Sequence, residues 1–148
     1  MALTKVTSNV LNDGAVTTSK IVDANVTTGK LATSSVTSIK VGTEFTTATV
    51  LTPAATIEVS YTAAQVFTLT PNANTTLNIT NPVIGVTKTI VITGGGGSYT
   101  MAYNVGGAAG TFNKISGTYD DTAGKKNLVQ ITCVSATEFW YACSQIAT

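Results

Sequence analysis

The sequence predicts an all-β protein, an elongated trimeric fibre with an N-terminal repeat shaft and a C-terminal β-sandwich or barrel head. Three observations predict it. A ten-residue repeat fills most of the first forty residues. Threonine makes up about a fifth of the chain and, with Val, Ile and Tyr, favours strands. Beyond residue 56, short β-type runs alternate with Gly, Asn and Pro turns, and helical periodicity is absent over any useful length.

Aligned in tens, the repeat reads LNDGAVTTSK (Leu11 to Lys20), IVDANVTTGK (Ile21 to Lys30) and LATSSVTSIK (Leu31 to Lys40). Apolar residues recur every five positions, at Leu11, Val16, Ile21, Val26, Leu31, Val36 and Val41. Five residues rotate a continuous α-helix by about 140°, which scatters this set around it. A continuous strand alternates faces, so steps of five land on opposite sides. The chain must therefore bend within each unit. Asp13-Gly14, Asp23-Ala24-Asn25 and Thr33-Ser34-Ser35 are the turn-type residues. The Thr pairs that follow either cap one short helical turn or open a short strand, and the sequence leaves both open. One apolar side chain in five cannot build a core within one chain, and repeat units bury their apolar face against neighbours. Here the simplest neighbours are other copies. Three chains about one axis would set the apolar residues inward, as a trimer core, and the lysines outward.

The repeat breaks down at Val41-Gly42. Residues 1–41 read as the shaft or attachment stem, 42–56 as a junction, and 57–148 as the β-domain. Strands are expected over Thr56–Tyr61, Gln65–Thr70, Thr75–Thr80, Thr87–Thr93, Ser98–Asn104, Asn127–Val134 and Glu138–Gln145. Turn signals separate them at Pro71-Asn72-Ala73-Asn74, Asn81-Pro82, Gly94 to Gly97, Gly106-Gly107 and Asp120-Asp121.

Composition narrows function. Only 10% of residues are charged, the net charge is +1, and His is absent. Arg is absent as well, and eight lysines are scattered along the chain. Nucleic-acid binders use Arg and Lys on phosphates and base edges, so no nucleic-acid partner is expected. No apolar run approaches the ~18 residues of a membrane span, so membrane insertion is not expected. The first residues, MALTKVTSNV, lack an apolar signal region, and folding in a cytoplasm is expected. In the C-terminal hairpin, a turn near Ala136-Thr137 sets Cys133 opposite Trp140 and Cys143 opposite Gln130. The sulfurs are then too far apart to bridge, and two reduced, buried thiols are expected.

No site chemistry competes with this reading. Gly94 to Gly97 lacks the Gly-Lys-Ser/Thr of a phosphate loop and reads as a mobile hairpin turn. Asp120 and Asp121 supply few of the six to eight oxygens of a calcium site and read as a solvated turn. No carboxylate pair suggests glycoside hydrolysis. No enzyme activity, metal or cofactor is expected. Tyr99, Tyr103, Tyr119 and Trp140 are the candidates for an outer aromatic contact surface. Alternation puts at least one of Phe139, Trp140 and Tyr141 on an outer strand face. Such a face suits a subunit contact or a glycan.

Units of the form D-G-A-V-T-T-x-K-I/L resemble those of bacteriophage virion fibre proteins. The resemblance covers about residues 6–41 and lapses where Val41-Gly42-Thr43 replaces the next unit. The runs FTLTPNANTTLNITNP and TKTIVITGGGGSYTMAY, and the ending GTYDDTAGKKNLVQITCVSATEFWYACSQ, resemble the C-terminal modules of such fibres. The resemblance implies a homotrimeric structural protein of the virion, made in the host cytoplasm. It would be a head fibre or capsid decoration, or else a tail fibre or carbohydrate-binding receptor module. The implied partners are other virion proteins of the capsid or tail, and host surface glycans.

Overall fold

Inward-facing residues alternate along most of the C-terminal strands, and that alternation builds two facing sheets. The computed structural model describes residues 42–146, with Thr17 and Leu31. The chain separates into two units, Met1–Thr37 and Ser38–Thr148, and all the described strands lie in the second. The described residues are all-β, apart from one helical turn, α1 (Thr43–Thr46).

The chain passes from one sheet to the other and back. In the larger sheet lie β1 (Ala48–Val50), β3 (Val66–Leu69) and β5 (Thr87–Thr93). In the smaller lie β2 (Thr56–Ser60), β4 (Thr75–Thr80) and β6 (Met101–Val105). Within each series neighbours pair in parallel. The result is a β-solenoid-like stack rather than a meander of hairpins. Pro71 to Asn74, Asn81-Pro82 and Gly94 to Gly97 all look like hairpin turns in sequence. Each instead carries the chain across to the opposite sheet.

The stack then changes. β7 (Thr111–Ser116) returns to the larger sheet but does not pair with β5. The hairpin of β8 (Lys126–Cys133) and β9 (Glu138–Gln145) stands between them, giving the order β1-β3-β5-β8-β9-β7. β8 is antiparallel to both β5 and β9, and β9 is parallel to β7. β7 therefore keeps the direction of β5 although two strands separate them.

β1 and β7 were not expected from sequence, and residues 42–56, read as a junction, contain α1 and β1. The C-terminal hairpin is also one residue out of the expected register. Cys133 pairs with Phe139, and Cys143 with Val129. Its loop closes through Val134 N–H and Ser135 N–H on the Glu138 carbonyl, at 2.9 and 3.1 Å. Ser135 Oγ accepts from Glu138 N–H at 3.1 Å. The turn thus centres on Ala136. Both thiols remain free and buried.

The core between the sheets holds Phe67, Leu77, Ile79, Ile90, Ile92, Val129, Ile131 and Phe139, all essentially inaccessible. Aliphatic side chains of this size stabilise by ~1.5–3 kcal/mol each when removed from water. Tyr61 joins them and donates its hydroxyl to the Ile131 carbonyl at 2.9 Å. Burial, and then the nearby Cys133, push its pKa upward. Lys88 is buried too. Its ammonium donates to Gln65 Oε1 at 3.0 Å and stands over the Tyr61 ring at 5.8 Å. On the smaller sheet's outer face Glu58, Asn78 and Asn104 occupy one row. Asn78 donates to Glu58 at 2.6 Å and accepts from Gly107 N–H at 2.8 Å.

Candidate functional site

Two loops meet near β6 and β7. One is Gly94 to Ser98, between β5 and β6. The other is Gly117 to Lys125, between β7 and β8. Asp121 locks them together. Its Oδ1 accepts from Gly95 N–H at 2.9 Å and from the Tyr119 hydroxyl at 2.5 Å. Its Oδ2 accepts from Tyr99 N–H at 2.8 Å. The Asp121 carbonyl accepts from Gly96 N–H at 2.8 Å, and Gly94 N–H bonds the Lys125 carbonyl at 2.8 Å.

This geometry needs small residues. A Cβ on Gly94 would stand 2.2 Å from the Thr122 carbonyl oxygen. One on Gly97 would stand 2.2 Å from the Tyr99 ring. The four glycines are thus a packed clasp, not the mobile hairpin turn expected from sequence. Asp121, expected as a solvated turn residue, is only partly exposed, and its carboxylate also takes up backbone N–H groups of the facing loop. A ring of backbone N–H groups of this kind attracts anions, and here a carboxylate of the same chain fills it.

The electrostatics follow. Desolvation acts to raise the Asp121 pKa. Hydrogen bonds from Tyr119, Tyr99, Gly95 and Gly97 outweigh it and hold the carboxyl below its ordinary value. Burial, then the hydrogen bond to Asp121 and the charges of both aspartates, push Tyr119 upward. Asp120 is held low, chiefly by the Thr122 N–H and hydroxyl. Asn127, fully buried, fixes the base of the loop. It accepts from Asp120 N–H at 2.9 Å and donates to the Asp120 carbonyl at 2.8 Å. Gln145 donates to Asn127 Oδ1 at 3.1 Å and also to the Thr118 carbonyl.

A cleft of about 800 Å³ opens beside the clasp, lined by Ser98, Tyr99, Thr118, Tyr119, Asp120, Asp121 and Gln145 among others. A second hollow of about 260 Å³ shares Tyr99, Thr118 and Tyr119 and adds Met101, Tyr103, Lys114, Tyr141 and Cys143. Together they offer aromatic rings, hydroxyls, an amide and one carboxylate, that of Asp120, less engaged by the fold. That chemistry suits a polyhydroxylated ligand held by stacking and hydrogen bonds. Among the described residues no three His, Cys, Asp or Glu side chains gather as a metal-ligand set.

No family model, curated protein or solved structure matches the chain.

The four aromatics expected to form one outer surface do not share one. Tyr99, Tyr103 and Tyr119 line the second hollow. Tyr103 is half-buried, with Phe112 at 5.5 Å and Tyr141 at 4.7 Å. Inward alternation on β6 put it there. Trp140 lies apart, on the outer face of the larger sheet, 47% exposed. Its indole N–H donates to Glu138 Oε1 at 3.0 Å, and the same oxygen accepts from Asn113 at 2.9 Å. Of the expected trimer-core residues, Leu31 is 45% exposed. Leu11, Val16, Ile21, Val26, Val36 and Val41 lie outside the described residues. Sequence reasoning had Tyr141 among the candidate aromatics but did not find Asn127 or the clasp role of Asp121. The Gly tetrad and the Asp pair were both visible, but nothing local showed that they meet.

Proposed function

We propose that the protein is a structural fibre subunit of a bacterial virus, a homotrimeric head fibre or capsid decoration that aids adhesion to surfaces. The observation that carries this reading is the decapeptide repeat, whose single apolar stripe requires partner chains. The β-solenoid-like stack supports it, because coils that pair only with their neighbours suit extension by repetition. The action is mechanical and adhesive. Several weak contacts on one trimer act together through avidity. Capsid or tail proteins are the attachment partners, and the virion is the location after synthesis in the host cytoplasm.

Sedimentation of the full-length protein tests the reading, with a trimer expected and a monomer fatal to it. Val26→Asp would bury three like charges in the trimer, at a cost on the order of several kcal/mol. It should dissociate trimers at concentrations where the wild type holds.

The tyrosine-lined cleft favours a second reading, a tail-fibre or receptor-recognition module that binds carbohydrate. Glycan-array binding by the whole chain, abolished by Tyr119→Ala, would support it. Binding to purified capsids or tails alone would favour the structural role.

A further inference from the structure

Lys114 stands where an inner strand would carry a core residue. On β7, Phe112 faces inward and its ring stacks on Phe139 at 4.9 Å. Residues two apart share a strand face, so Lys114 lies on the same inner side, in register with Tyr141 of β9. It is nonetheless exposed. The smaller sheet ends at β6, whereas β9 and β7 carry the larger one further. The hollow of about 260 Å³ opens at that flank, with Tyr103, Tyr119, Tyr141, Lys114 and Cys143 among its walls. Burial raises the Cys143 thiol pKa and the Lys114 charge acts against it, so that charge reaches into the hollow. Among the described residues, Lys88 and Lys126 have side-chain oxygens to donate to, and the Lys114 ammonium has none. The described residues lining the hollow include no carboxylate.

We propose that this hollow receives the carboxylate-bearing ring of an acidic sugar, with Lys114 taking the carboxylate. This rests on the carbohydrate-binding reading above and names the class of glycan. Size points to a single ring, because the hollow lies just below the ~300 Å³ at which pockets for larger ligands begin. The longer cleft shares Tyr99, Thr118 and Tyr119 with it and takes the next, neutral rings. Charge sets the orientation. The cleft carries Asp120 and Asp121, with no lysine among its described lining residues, and the hollow carries Lys114. An anionic group is therefore drawn to the hollow and repelled from the cleft. The same charges limit the ligand. A chain ionised on every ring would meet the two aspartates, and a phosphate dianion would carry more charge than one ammonium matches. The tyrosines add ring faces and hydroxyls. Burial, then Tyr141 and Cys143, push the Tyr103 pKa upward, and Tyr119 is raised as well, so both stay neutral beside a bound carboxylate.

Solution titrations of the full-length protein test this, with each of two acidic oligosaccharides set beside its neutral parent. The pairs are sialyllactose with lactose, and cellobiouronic acid with cellobiose. In at least one pair the acidic member should bind about fivefold more tightly, near the upper end for a partly exposed ion pair. That gain should shrink in high salt. The pair that shows it identifies the acidic sugar. Lys114→Met should bring the acidic member down to its parent and leave the parent's affinity unchanged. If near-UV circular dichroism shows that variant unfolded, Lys114→Gln is read in its place. An inward-pointing lysine also guards an edge strand against pairing. If that is its whole task, the variant keeps the wild-type preference and the proposal fails. Equal affinities within both pairs, or binding confined to neutral glycans, overturn the acidic-sugar assignment and leave the carbohydrate reading standing. No binding to any glycan overturns both.

Discussion

A carboxylate beside a glycine-rich loop either holds a cation with other oxygens or satisfies the backbone N–H groups itself. Asp121 does the second, and its stabilising effect depends on charge. Its folded pKa lies below the ordinary 3.8. The contribution is therefore complete above that value and is lost as pH falls through the folded pKa. Asp120 acts with the same sign. Asp121→Asn should remove part of this acid limb, and urea midpoints from pH 6 to pH 2 should fall less steeply than in the wild type. Equal slopes would remove Asp121 from the role. Amide exchange at Gly95 and Tyr99 should also accelerate in the variant, by about one to two orders of magnitude, as charge-assisted bonds are lost. The cysteines make a second residue-scale case. Both are buried, and burial raises both thiol pKa values. A thiolate is the reactive form. Ellman's reagent should find both thiols only after unfolding, and a rapid reaction of native protein would contradict the burial.

Strands that bury one face and expose the other are legible from sequence, and β4 and β5 lie where alternation put them. β1 and β7 were illegible for a physical reason. β1 is exposed along its whole length, and β7 buries little beyond Phe112. Neither carries an alternating signal, because each is an edge strand held by one neighbour. The parallel pairing was illegible too. Pro71 to Asn74 fixes a change of direction but not the sheet the chain enters next. That choice is made by inner-face packing between residues far apart in sequence. The clasp was hidden likewise, since Asp121 and Gly95 meet only once β8 has taken its place beside β5. The attachment of β7 can be tested at one ring. Phe112 stacks on Phe139 at 4.9 Å, with planes 12° apart, and Tyr61 meets Phe139 edge-on at 6.1 Å. Phe139→Ala should destabilise the β-domain by about 3–5 kcal/mol. It should also release β7 before the rest, seen as early loss of amide protection over residues 111–116. Protection unchanged there would mean that pairing with β9 alone holds the strand.

At the scale of the described unit, the consequential feature is the order in which pieces can assemble. The parallel coils β1 to β6 pair strands about twenty residues apart in sequence, as Thr56 with Thr76. β8 must pair back to β5 across a longer span, as Thr87 with Thr132. β7 has no partner until β9 arrives. Loop-closure entropy rises with span, so long pairings are costly until hydrophobic burial offsets them. Here the hairpin completes the core begun by β2 to β5, adding Val129, Ile131, Cys133 and Phe139. The C-terminal hairpin is therefore expected to be needed for folding, because it closes the core over Tyr61 and gives β7 its partner. A chain ending at Val134 keeps every coil strand and β8 but loses β9. It would leave β7 unpaired, expose Tyr61 and Tyr103 where Phe139 and Tyr141 now cover them, and free Asn127 from Gln145. Such a chain should show no cooperative thermal transition by circular dichroism, whereas the full chain should melt in one step over its β-domain. A cooperative melt of the shortened chain, close in midpoint to the full one, would show that the coils fold alone and that the hairpin is dispensable.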